Sequence, residues 1–155
     1  MPNAFSIKFD SGGLDAALDG ITAQAQANAR PAAQAGAQVL YDEVKTNVAA
    51  IGKKTGNLDA SIYQAYSKDN STETRATYHV SWNAKEAPHG HLVEFGHIQT
   101  RKVYIGSDGK WYTSPEKLPE PKHVAARPFV RPAFDAKAQA ALEAAKAKWV
   151  EGMSK

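Results

Sequence analysis

Three imidazoles and a carboxylate crowd into His89-Gly90-His91-Leu92-Val93-Glu94-Phe95-Gly96-His97. Side chains of these types can hold zinc, or can supply a base and an acid to a hydrolytic reaction. Spacing decides whether they do. His91 and Glu94 are three apart, which puts them on one face of a helix but on opposite faces of a strand. Gly90 and Gly96 argue against a continuous helix, so the metal-protease arrangement is not expected, and the histidines read as surface or interface groups. A metal-dependent hydrolase using His89, His91 and His97 stays as the enzymatic alternative. Nucleophilic catalysis has less support. The chain has no cysteine, and serines such as Ser61 and Ser81 lack a glycine-flanked elbow. Ser11-Gly12-Gly13 runs into an acidic turn, which repels phosphate rather than cradling it. The expectation is a protein without catalytic residues, cofactor or metal.

A second constellation lies between Arg101 and Arg131. The bases Arg101, Lys102, Lys110, Lys117, Lys122, Arg127 and Arg131 are interleaved with Tyr104, Trp111 and Tyr112. Aromatics beside bases can stack on nucleobases and neutralise phosphates, so a small nucleic-acid-binding module is a further alternative. An amphipathic hairpin shows the same alternation. The first fifty residues carry the opposite balance, with Asp10, Asp15, Asp19, Asp42 and Glu43 against Lys8, Arg30 and Lys45. Opposed charges of this kind suit head-to-tail packing of identical subunits.

The elements that must position these residues read as one α+β domain over residues 1–155. Ala4–Asp10 alternates apolar and polar, predicting a strand with Phe5, Ile7 and Phe9 on one face. Leu14, Leu18 and Ile21, then Leu40, Val44 and Val48, predict a long N-terminal helix, with a kink or a junction of two helices near Pro31. Ile51–Asn57 is a break in which Gly56 should take positive φ, and Leu58–Ile62 a short helical turn leading into a strand. Thr72–Trp82 predicts a strand of one antiparallel sheet packed on the helices. Ile98–Ile105 and Lys110–Thr113 flank Gly106-Ser107-Asp108-Gly109, a hairpin turn. Pro115, Pro119 and Pro121 predict an extended loop without ladder pairing, so residues 98–124 read as a hairpin and proline-rich insertion. A final helix follows Pro132 to about Gly152, entered through Phe129 and Phe134 seated in apolar pockets.

With 43% hydrophobic residues, many of them alanine, and a mean hydropathy of -0.49, the chain has a thin core of the kind that gains from oligomerisation. No apolar run is long enough for a membrane span and no secretion signal opens the chain, so a cytoplasmic product is expected.

Three segments occur in order: Thr55-Gly56-Asn57-Leu58-Asp59-Ala60-Ser61-Ile62, His91–His97, and Ala126-Arg127-Pro128-Phe129-Val130-Arg131-Pro132-Ala133-Phe134. Together, over roughly Leu14 to Trp149, the chain resembles the tail-completion or head–tail joining family of long-tailed bacteriophages. The one departure is His97, where that family usually has threonine. The resemblance implies a structural virion protein, a ring (sixfold in expectation) where the tail meets the neck, assembled in the host cytoplasm. Its implied partners are copies of itself, neck or head-closure proteins, tail terminator or tail-tube proteins, and DNA passing without sequence specificity; no membrane is involved. A tail terminator or head-closure protein is the nearest alternative. The expected subunit-interface residues are Glu94, paired with Arg127 or Arg131, together with Phe95, Phe129, Tyr104 and Trp111.

Overall fold

A computed structural model describes residues 12–52 and 56–154. The strand expected over Ala4–Asp10 and the Thr55 of the first motif lie outside the described residues. Helix α1 (Gly12–Ile51, 40 residues) contains Pro31 without interruption, so the junction of two helices expected there does not occur. Pro31 removes only the bond its amide would have given the Ala27 carbonyl, and alanines on both sides favour helix.

Helix α4 (Val130–Met153) runs back along α1 in the antiparallel sense. The sequence makes close approach possible through small side chains. A Cβ on Gly36 would sit 2.9 Å from the Ala141 carbonyl oxygen, so the two backbones nearly touch there. Polar ties fix the register at both ends. Asn47 donates to the Phe129 carbonyl at 3.1 Å, Gln24 donates to the Gly152 carbonyl at 3.1 Å, and Lys137 lies 3.6 Å from Glu43.

Helix α2 (Asn57–Ser61) follows Gly56 at φ 81 and leads into strand β1 (Ile62–Tyr66), which pairs antiparallel with β2 (Tyr78–Trp82). The strand expected from Thr72 is therefore confined to its last five residues. Upstream, Thr72 and Arg75 close a tight turn on each other. Strands β1 and β2 lie against α1, and the core forms where they meet the start of α4: Val44, Val48, Ile62, Phe129 and Ala133 are buried together, with Trp82 edge-on to Phe129.

Gly90–Phe95 forms helix α3, contrary to the expectation from its two glycines. The glycines bound the helix rather than interrupt it. Gly90 starts α3 against the Trp82 indole, where a Cβ would come within 2.3 Å of Nε1. Gly96 ends it at φ 72, a conformation that favours glycine.

Strands β3 (His97–Ile105) and β4 (Trp111–Val124) form a second antiparallel ribbon, separate from the first, where the sequence predicts an extended hairpin. The proline segment belongs to β4 and is not an unpaired loop. Thr113, Lys117 and Lys122 pair with Val103, Arg101 and Gln99, so the register shifts twice. Pro115 lies in the first bulged stretch and Pro119 and Pro121 in the second, where no ladder donor is lost. Both faces of the ribbon are largely exposed, and Gly96 packs at its base against the backbone of residues 124–126.

Candidate subunit interface

Glu94 is 2% exposed, and its carboxylate faces the start of α4. The Phe129 and Val130 amides donate to Oε2 at 2.7 and 3.0 Å, and the Arg131 amide donates to Oε1 at 3.2 Å. Phe129, at the N-cap position, has no capping side chain of its own. An acid thirty-five residues upstream supplies the cap, and it complements the positive end of the helix dipole. The Arg131 Nε lies 3.6 Å from Oε1, and the Arg127 amide donates to the Val93 carbonyl at 2.8 Å. These bonds tie α3 to the root of α4.

This geometry redistributes the expected interface residues. Glu94 pairs with Arg131 inside one chain, and Phe129, at 0% exposure, is a core residue. Neither offers surface to a neighbour in this chain. Phe95, 62% exposed, carries the Arg131 guanidinium 5.3 Å from its ring centroid, so these two form one exposed patch. Arg127 is exposed nearby. Tyr104 and Trp111 lie apart from that patch at the far end of the ribbon, where Tyr104 stacks on Tyr112 and Trp111 pairs with Ile105. The Tyr112 hydroxyl donates to Asp108 at 2.7 Å and holds that carboxyl below the usual range, while the same bond raises Tyr112. Phe134, expected in an apolar pocket, is exposed.

The histidines do not converge. Glu94 is engaged by α4, and no group of three metal-ligating side chains occurs among the described residues. His89 and His97 instead line a groove of about 650 Å³ with Val48, Ile51, Leu92, Val93 and Val124. Nothing in the sequence signalled this groove, because it joins the end of α1 to α3 and the foot of the ribbon. Leu14, Leu18 and Ile21 follow the helical spacing and lie on α1. All three are more than half exposed, since α4 ends opposite Gln24 and Asn28 and does not reach the first turns of α1.

Among the described residues no helix is long and apolar enough to cross a membrane. Residues 13–96 match the model of the HK97-gp10-like family, bacteriophage HK97-gp10 tail-component. The match covers α1 through α3 and ends where the ribbon begins. No curated protein and no solved structure matches the chain.

Proposed function

The chain belongs to the HK97-gp10-like family of bacteriophage tail components, and from that premise we propose that it is a non-catalytic ring subunit at the junction of tail and neck. In this reading it completes the tail, joins it to the head, and leaves a channel through which DNA passes without being read. The observation that carries this reading is the β3–β4 ribbon. A two-stranded ribbon with both faces in water is marginal by itself. This one nevertheless extends about 27 Å and ends in exposed Tyr104, Ile105, Trp111 and Tyr112. Aromatic side chains presented on an arm suit a protein neighbour, since they bury large area at small entropic cost.

The interface in this proposal comprises the ribbon tip with Tyr104 and Trp111, and the patch of Phe95, Arg127 and Arg131. Its partners are copies of the same chain, a neck or head-closure protein, and a tail terminator or tail-tube protein. Electron microscopy of particles tests the placement: density for this chain as a closed ring at the neck is expected. Density elsewhere on the tail, or no repeat around the axis, rules out the junction. A terminator role in place of completion would show as direct contact with the last tail-tube ring.

A further inference from the structure

We propose that the first three turns of α1 in one subunit dock into the apolar groove at the opposite end of α1 in the next. This inference rests on the ring reading above and specifies its contact. Leu14, Leu18 and Ile21 recur at spacings of four and three and so share one helical face. Their exposures are 55%, 51% and 54%, and among the described residues no element packs over them, α4 stopping opposite Gln24 and Asn28. The groove, with Val48, Ile51, Leu92 and Val124 in its wall, is the apolar surface missing from that face.

Rigidity excludes a contact within one chain. Stripe and groove sit at the two ends of the same 40-residue helix. Ile21 and Ile51 are about 45 Å apart at a rise of about 1.5 Å per residue. Only another copy can bring the two together, and the resulting contact is head-to-tail, the type that closes rings or runs on as filaments.

Charge selects the same occupant. Asp19 flanks the stripe, while Arg127, His89 and His97 line the groove, whose single acid, Asp59, is ion-paired with Lys45. His97 Nδ1 is buried in the groove wall and has no hydrogen-bond partner among the described residues. An acidic, apolar helix end fits these groups better than a basic or a purely apolar segment would.

The chain contains no cysteine, which makes the test direct. Full-length protein carrying both Leu18→Cys and Ala125→Cys, two exposed positions on the stripe and at the groove, is treated with a mild oxidant and run under non-reducing denaturing conditions. Each single-cysteine variant serves as control. Sedimentation of the unmodified protein is measured in parallel. A covalent ladder seen only in the double variant and stopping at a fixed number of subunits supports both the docking and the ring. A ladder without an upper limit keeps the docking and overturns the ring. No ladder, while the unmodified protein sediments as a closed oligomer, overturns the docking alone. No ladder and a monomer at every concentration overturns both. Leu18→Asp combined with Ile21→Asp, changes on a face that makes no core contact among the described residues, is expected to abolish the oligomer while leaving the helical circular dichroism unchanged. An oligomer that survives this change sinks the docking.

Discussion

The root of α4 and the tip of the β3–β4 ribbon are built from the same kinds of residue. At the root stand Glu94, Phe129 and Arg131; at the tip, Asp108, Tyr112 and Lys110. Their environments differ completely. Glu94 and Phe129 are buried and reached by groups from α1, α3 and β2, whereas among the described residues the side chains of the tip residues meet only the turn and the neighbouring strand of the same ribbon. Side-chain type therefore does not separate residues that build this fold from residues free to meet a partner. What separates them is how many distant segments converge on the position.

Substitutions at the two places should diverge most in stability. Phe129→Ala empties a fully buried site and is expected to cost about 4 kcal/mol, read as a fall of roughly 12 °C in Tm for a chain of this size. A loss below about 1 kcal/mol would mean that the root is not the core. Glu94→Ala leaves three amides at the head of α4 without their acceptor and is expected to cost about 3 kcal/mol in urea unfolding. Because the cap joins α3 to α4, hydrogen exchange should speed up in the first turn of α4 before its middle. Gly90→Ala forces the Trp82 indole off Phe129 and should cost about 2 kcal/mol, with a change in tryptophan emission.

At the ribbon tip the order of effects should reverse. Tyr104→Ala with Trp111→Ala is expected to change stability by no more than about 0.5 kcal/mol, yet to remove assembly into particles. Comparable loss of both would erase the contrast between the two regions. The smallest effect belongs to Asp108. Its carboxyl is held below the usual range by Tyr112, so its contribution to turn order is present at neutral pH and fades as pH falls through the lowered value. Tyr112→Phe should return the Asp108 carbon-13 titration toward that of an ordinary carboxylate; an unchanged titration removes the bond.

Local patterns carried much of this fold. The period of Val44 and Val48, the positive φ of Gly56, the turn at Asp108-Gly109 and the helix around Pro132 each depend on a few neighbouring residues. The failures share a cause. Leu14, Leu18 and Ile21 show the same spacing whether the face meets α4, another copy or water, so periodicity cannot say which. The prolines of β4 read as loop because their tolerance depends on bulges set by the pairing strand. Gly90 and Gly96 read as breaks inside a segment when they are its ends.

By itself, then, the sequence determined the two long helices, the hairpin turn, the α+β class and the absence of thiol chemistry, since propensity, period and residue type act over a few positions. Tertiary structure alone decided what the acid among the histidines is for. Glu94 could have been a ligand, a base or an intersubunit partner. It became the cap of α4 because folding brought Phe129, Val130 and Arg131, more than thirty residues away in sequence, within hydrogen-bonding distance in a place that water does not reach.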